Sequence, residues 1–176
     1  MTIDLLEAIY EAALVPARWQ EVMGGLTRLI GMETGGAQLL VVDERGGIPL
    51  NLNYGAENPE AERLYRQYYS TIDPRRERAM SYAVGDWMVC HRHFDERYVS
   101  QSEFYQDYLI PKLGNRYMAG VRLASEDGIH VLLAVGNRAG PEAQPVTREE
   151  LRLLRDLTPH LTRAARLNVR VHRLEG

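Results

Sequence analysis

The sequence predicts an α+β domain in which helices flank a central antiparallel sheet of about five short strands. Amphipathic helical patterns lie at both ends of the chain, and alternating apolar and polar residues separated by hairpin turns lie between them. Hairpin-linked strands pair antiparallel, which argues against a doubly wound parallel sheet. A chain of 176 residues has the length of one domain. We expect a single domain over 1–176, with N-terminal helices in 1–31, the sheet with inserted helices in 37–138, and a long C-terminal helix over 147–174.

The N-terminal segment predicts two helices. Pro16 ends the first and can open the second from its first turn. The second helix ends at Gly31. Alternating segments then cover 37–43 and 48–55, and the turn-rich residues between them predict a hairpin.

The middle of the chain predicts short helices around one short strand. Helical patterns cover 58–70 and 75–82, and a strand covers 85–90. The polar segment 91–97 predicts a loop. Ser100 or Ser102 can then cap a helix that runs to Tyr108.

Two longer strands and the final helix complete the fold. Segments 117–125 and 129–137 are joined by Asp127-Gly128, a strong hairpin signal. Thr147 and Glu150 form a capping box that starts the last helix. Its apolar face is wide up to Leu161 and narrow beyond Ala164, so we expect the first part to dock on the domain and the second to meet a partner.

Pro159 lies inside that last helix. It lacks an N–H and predicts a kink at this point.

Composition excludes several classes of protein. The net charge of −3 does not favour a dedicated nucleic-acid binder. One cysteine cannot form an internal disulfide and fits a reducing cytoplasm. No apolar run reaches membrane-spanning length, and the N-terminus lacks a basic signal-peptide segment. We therefore expect a soluble, cytoplasmic protein without a membrane partner.

The sequence offers little support for catalysis or metal binding. It contains no nucleophile elbow, no zinc-protease motif and no phosphate-binding glycine loop. Cys90, His91 and His93 have metal-ligand side chains, but neighbouring strand residues point to opposite faces and further ligands at a familiar spacing are missing. We expect no catalytic residues, no metal and no cofactor, while a sensory role for these three residues stays open.

Tyrosine outnumbers phenylalanine ten to two. Because each buried phenol needs a hydrogen-bond partner, a tyrosine-rich wall suits a pocket for a small, partly polar ligand. The alternative is that many tyrosines sit half-exposed at helix edges, that Arg122 is solvated, and that Asp73 organises the turn before Pro74. The candidate ligand-binding residues are Tyr54, Tyr68, Tyr69, Trp87, Tyr105, Tyr117 and Arg122.

The order of elements resembles the PAS/GAF-like sensor fold. Segments 9–23, 68–74, 102–114 and 157–167 are similar to the N-terminal sensory region of proteobacterial LuxR-type helix-turn-helix transcriptional regulators. This resemblance implies a small-molecule-sensing domain whose last helix leads to a DNA-binding domain. No helix-turn-helix motif follows Leu174, so DNA binding is implied only for a parent protein of which this chain is a fragment, unless the domain acts alone.

Three functional hypotheses follow. The first is a sensor that binds an unidentified small molecule between the sheet and the tyrosine-bearing helices and signals through its C-terminal helix as a homodimer. That dimer would use Leu167, Val171 and Leu174, together with the N-terminal helices. The second is a ligand-free dimerisation or protein-interaction module, and the third is a metal- or cysteine-dependent enzyme. A cavity lined by tyrosines and Arg122 favours the first, and a filled interior favours the second.

Overall fold

The computed structural model describes residues 3–31, 35–55, 58–138 and 143–175. Within these ranges the helices are α1 (Ile3–Leu14), α2 (Trp19–Leu29), α3 (Pro59–Gln67), α4 (Pro74–Met80), α5 (Glu96–Gln101), α6 (Ile110–Leu113) and α7 (Arg148–Glu175). A π-helical segment, Phe104–Leu109, leads directly into α6. The strands are β1 (Gly36–Asp43), β2 (Leu50–Tyr54), β3 (Trp87–Val89), β4 (Asn115–Glu126) and β5 (Ile129–Arg138).

The strands form one five-stranded antiparallel sheet in the order β2-β1-β5-β4-β3. This confirms the predicted fold class. The β4–β5 hairpin turns at Asp127 and Gly128, whose φ angles of 50° and 79° suit the favoured two-residue hairpin turn. Both strands extend slightly beyond the predicted bounds because their pairing continues from Asn115 opposite Arg138 to the turn.

The middle of the chain departs most from the sequence expectation. The segment predicted to be a polar loop leads into α5, whose N-terminus is capped by the Asp95 carboxylate accepting from the Tyr98 N–H at 2.8 Å. The strand predicted over 85–90 is shorter, and Cys90 already begins a 3₁₀ turn. Helix α3 is also shorter than predicted, since a separate 3₁₀ turn follows it at Tyr69–Thr71.

The sheet separates two apolar clusters. Helices α1, α2 and α7 cover one surface of the sheet, which we call the α7 face, and the cluster there includes Leu39, Val121 and Leu133. Segments α3 to α6 cover the other surface, which we call the tyrosine face, and the cluster there includes Leu40 and Leu132. Neighbouring strand residues thus serve opposite clusters, as the pleat requires.

Helix α7 remains continuous across Pro159. Leu154, Leu157 and Leu161 are fully buried against the domain, as the wide part of its apolar face predicts. The docked stripe extends farther than predicted, through Ala165 to Val169. Among the described residues, no helix is long and apolar enough to cross a bilayer.

Asn168 holds the C-terminal part of α7 in place. Its amide donates to the carbonyl oxygens of Ala12 and Ala13 at 2.7 and 2.8 Å, and its oxygen accepts from the Trp19 indole at 2.6 Å. This single side chain therefore bonds α7 to both N-terminal helices.

Gly136 on β5 provides a test of the sheet packing. An added Cβ would collide with the Tyr117 carbonyl oxygen and lie 2.9 Å from the Met118 Cα. Backbone atoms cannot move aside cheaply, so we expect Gly136→Ala to lower the free energy of unfolding by about 2 kcal/mol or more in urea denaturation. Gly120→Ala on neighbouring β4 is the matched control, because the nearest atom to its Cβ is 3.7 Å away. Equal stability of the two variants would contradict the β4–β5 packing.

Candidate functional site

Aromatic rings pack closely on the tyrosine face. Tyr69 stacks on Tyr108 with ring centroids 4.5 Å apart, and Tyr65 lies 5.9 Å from Tyr108. Tyr105 is buried beside Phe104, with centroids 5.9 Å apart. These rings form much of the apolar wall between the sheet and helices α3 to α6.

The buried phenols have protein partners. Tyr65 donates to the Asp73 carboxylate at 2.9 Å, and Tyr108 donates to the Ala61 carbonyl at 2.9 Å. The Tyr105 hydroxyl interacts with the buried Cys90 thiol. Burial raises the pKa of all three tyrosines, so their hydroxyls remain protonated donors at neutral pH.

Three predicted site residues lie on or near this face, and a fourth, Tyr117, contacts Glu96 of α5 through its hydroxyl at 3.4 Å. Tyr69 and Tyr105 belong to its cluster. Tyr68 is 45% exposed and donates to Glu103. Tyr117 lies against Arg116, whose guanidinium carbon is 4.7 Å from its ring centroid.

Arg122 donates to the Tyr82 carbonyl at 2.8 Å, and its buried Nε has no partner in the part of the chain that the structure describes. It does not line the cavity described below.

Tyr54 and Trp87 lie on the α7 face instead. The Trp87 indole donates to the Thr158 hydroxyl of α7 at 2.8 Å, and an added Cβ on Gly24 of α2 would lie 3.0 Å from the Tyr54 ring. Both side chains pack with that cluster. One pocket therefore cannot contain all seven candidate residues.

A buried ion pair forms the polar centre of the tyrosine face. Asp73 and Arg75 are 6% and 7% exposed. The Arg75 Nε donates to Asp73 Oδ1 at 3.1 Å and its NH2 donates to Oδ2 at 3.0 Å. Burial alone lowers the pKa of Arg75, but the adjacent carboxylate outweighs it and raises that pKa above its usual value. Arg75 is thus a permanent buried cation.

Two further contacts complete the surroundings of Arg75. Its NH1 donates to the Met118 Sδ at 2.9 Å, and its guanidinium carbon lies 4.9 Å from the Phe104 ring centroid. A thioether is a weak acceptor, whereas an aromatic face attracts a cation.

Sequence reasoning missed Arg75, Tyr65 and Met118. Asp73 does organise the turn, since its Oδ1 accepts from the Arg75 backbone N–H at 3.0 Å, but it also neutralises the Arg75 side chain. The short 75–82 helix carries three other basic or acidic residues before Ala79, a pattern typical of a solvated helix. No local signal distinguishes Arg75, the buried arginine, from the other arginines of this helix.

A small cavity adjoins this ion pair. Its volume is about 40 Å³, room for a few water molecules at roughly 10–15 Å³ each. Pockets for small molecules usually measure about 300–1,000 Å³. A ligand at this place therefore requires side chains to move. The lining comprises Gln38, Leu40, Tyr65, Asp73, Arg75, Arg76, Ala79, Met88, Cys90, Met118, Gly120, Val121, Leu132, Leu133 and Ala134.

Cys90, His91 and His93 do not converge on one point. Cys90 is buried beside Arg75, and burial raises the pKa of its thiol to about 11. His93 bonds the Tyr82 hydroxyl at 2.6 Å, and burial lowers its pKa as it does that of His91. Within the described ranges, no three His, Cys, Asp or Glu side chains are grouped so as to hold a metal ion.

Comparison with solved structures shows the same fold in sensory domains. CepR2 from Burkholderia cenocepacia, an N-acylhomoserine-lactone-dependent LuxR-family transcription factor, matches with a TM-score of 0.66 at 17% identity, covering 99% of this chain and 98% of its own. The ligand-binding domain of VqsR from Pseudomonas aeruginosa matches with a TM-score of 0.69 at 14% identity, covering 95% of each chain. GAF3 of Slr1393 from Synechocystis matches with a TM-score of 0.56 at 11% identity, covering 97% and 99%.

No protein-family model and no curated protein matches this chain by sequence. The structural matches nevertheless confirm, at the level of the fold, the resemblance to LuxR-type sensor domains and to GAF domains. They extend over nearly the whole chain.

A double-mutant cycle tests the buried ion pair. Asp73→Asn keeps an N-capping side chain but leaves the Arg75 cation without its counterion, and Arg75→Met leaves the carboxylate without its cation. We expect each single variant to lose about 3 kcal/mol of unfolding free energy, and the double variant to lose clearly less than the sum. Urea denaturation at neutral pH measures all four proteins. Losses that add within about 0.5 kcal/mol would show that the two groups do not interact.

Proposed function

We propose that this chain is the small-molecule-sensing domain of a transcriptional regulator. The observation that carries the proposal is its end-to-end structural likeness to CepR2, an N-acylhomoserine-lactone-dependent transcription factor. The polar groups that converge beside a cavity on the tyrosine face support a ligand site there. The role is regulatory, and we infer no catalytic step.

The proposed ligand occupies the space between the sheet and helices α3 to α6. Because the cavity of about 40 Å³ is smaller than a metabolite, the ligand must select a more open packing of these helices. Met118, Gly120 and Val121 of β4 line the cavity, and Val121 also belongs to the α7 cluster together with Ala119 of the same strand. A change at β4 therefore reaches α7 through adjacent residues.

We infer that α7 is the output element. Trp87 donates to the Thr158 hydroxyl, which itself donates to the Leu154 carbonyl at 2.8 Å, so β3 and α7 are joined by a buried hydrogen-bonded chain. A ligand that favours one packing of the sheet would bias the position of α7 and hence of a domain attached to it. Contact with DNA would belong to that attached domain.

The second candidate is a ligand-free dimerisation module, and one observation favours it. The interior of the tyrosine face is almost filled, and the buried phenols already bond protein atoms. A sensor must open this interior to admit a ligand, whereas an interaction module functions with the interior filled.

Native mass spectrometry of the protein purified from its own host separates the two candidates. We expect a reproducible non-covalent adduct, and we expect Gly120→Val to remove it by placing a side chain in the cavity. Ser125→Val, an exposed position on the same strand, is the control that should keep the adduct. An adduct that persists in Gly120→Val would place the ligand elsewhere. Repeated absence of any adduct would favour the ligand-free module.

The homodimer of this proposal uses α7 and the end of α1. Leu167 is 41% exposed on α7, and Leu14, at the end of α1, and Val15, which follows it, are 69% and 50% exposed. The Asn168 bonds hold this part of α7 next to the end of α1. Val171 is half-buried, and the Leu174 side chain lies outside the described residues. An apolar groove of about 470 Å³ opens nearby, lined by Pro16, Leu50 and Val169 among others.

Charged substitutions on α7 test this dimer. We expect Leu167→Asp with Val171→Asp to weaken dimerisation at least about tenfold in sedimentation velocity, because the carboxylates would be desolvated in the interface. The fold should remain, as the docked residues of α7 are untouched. Arg155→Asp with Arg163→Asp, both exposed on α7, is the control that should stay dimeric. A dimer unchanged by the Leu167 and Val171 substitutions would exclude this part of α7 as the interface.

A further inference from the structure

One edge of the Arg75 guanidinium can bind a further partner. Arginine has five N–H donors arranged in two forks, each of which can hold a carboxylate with two parallel hydrogen bonds. Asp73 occupies the fork formed by Nε and NH2. At the other fork, NH1 donates to the Met118 thioether at 2.9 Å. A carboxylate is a far stronger acceptor than a thioether, so it would displace that sulfur.

The charges around the cavity are unbalanced. Among the described residues that line it, Asp73 is negative, while Arg75 and Arg76 are positive. The Cys90 thiol stays neutral at physiological pH because burial raises its pKa to about 11. The lining therefore carries one net positive charge, which a single anionic group would neutralise. Because Arg75 is already paired with Asp73, the uncompensated charge is that of the half-buried Arg76, and it attracts an anionic group more strongly than a neutral one.

Met118 also limits the size of the cavity. Arg75, Met118 and Gln38 line both this cavity and a second one of about 10 Å³, so these side chains lie between the two spaces. Methionine is unbranched and adapts its shape readily. Displacing its sulfur from NH1 would join the two cavities next to the fork of Arg75 that Asp73 does not occupy. The rest of the wall is mainly apolar, with Leu40, Met88 and Leu132 among its residues.

Resting on the proposed sensing function, we infer that the ligand is a compact carboxylic acid with an apolar body. Its carboxylate accepts from NH1 and NH2 of Arg75 in place of the Met118 sulfur. Arg76 supplies the second positive charge. Asp73 keeps its hydrogen bonds to Nε and NH2 and so fixes the orientation of the guanidinium. A neutral lactone or amide lacks the charge that this lining requires.

Binding measurements with matched probes test the charge requirement. The full chain is titrated by calorimetry with octanoate and phenylacetate, and in parallel with octanamide, phenylacetamide and N-octanoyl-homoserine lactone. We expect at least one carboxylate to bind about tenfold or more tightly than its amide, since hydrogen bonds to a charged group are the stronger ones. The same carboxylate should raise the thermal midpoint of unfolding.

Variants then locate the site. Arg75→Lys keeps the charge but loses the fork, and Arg76→Gln removes one charge from a half-buried position. We expect each to weaken binding of the carboxylate about tenfold, whereas Arg78→Gln, exposed on the same helix, leaves it unchanged. Met118→Leu removes the competing acceptor at similar volume and should bind the carboxylate at least as tightly as the parent chain. Circular dichroism checks that each variant is folded, and Arg76→Gln provides the test if Arg75→Lys unfolds.

Several results would overturn the inference. Equal binding of the amides, binding that survives both Arg75→Lys and Arg76→Gln, or no binding of any carboxylate would each exclude an anion site at Arg75. Tight binding of the lactone alone would exclude the anion site and leave the sensing function standing. Failure of the sensing function itself has a different signature, namely no adduct in native mass spectrometry of the protein from its own host.

Discussion

An arginine side chain remains in an apolar interior only when an anion accompanies it, and this constraint organises the tyrosine face. The Arg75 guanidinium is paired with Asp73, and Tyr65 donates to the same carboxylate. Phe104 lies against the guanidinium, and Met118 accepts from it. Segments α3 and α4, the π-helical turn and β4 therefore each contribute a side chain to one small polar cluster. Removing either charge would leave the other buried among apolar residues, which is why such pairs are costly to break.

The sheet links this cluster to the opposite side of the domain. Along β4, Met118 belongs to the cluster of the tyrosine face, while Ala119 and Val121 belong to the cluster of the α7 face. The central strand β5 is paired with β1 on one side and with β4 on the other over most of its length, so it resists independent displacement. A packed core tends to adopt a few discrete arrangements and does not deform continuously. Met118 is therefore covalently adjacent to a residue, Ala119, that packs on the α7 face.

Local signals predicted the parts of the fold that depend on neighbouring residues. The Asp127-Gly128 turn sets the β4–β5 register, and the Thr147–Glu150 capping box starts α7, with the Glu150 N–H bonding the Thr147 hydroxyl at 3.2 Å. Which face of the sheet each site residue lies on depended instead on contacts with residues far away in the sequence. Trp87 belongs to the α7 face because β3 pairs with β4 in one register, Trp87 opposite Val121, and a shift by one residue would reverse every side chain. Arg75 is internal because of contacts with Phe104 and Met118, which lie far along the chain.

The size of the cavity sets a thermodynamic condition on any ligand. A space of about 40 Å³ describes a closed conformation, so binding requires a more open one in which apolar contacts are lost. The apparent affinity equals the intrinsic affinity multiplied by the fraction of molecules in the open form. A ligand without a strong, specific interaction inside would not offset this cost. The thioether at NH1 is the contact whose loss costs least, because a weak acceptor is exchanged for a charged one. Opening at Met118 therefore disrupts the core at the same place where the ligand would gain its hydrogen bonds to the Arg75 guanidinium.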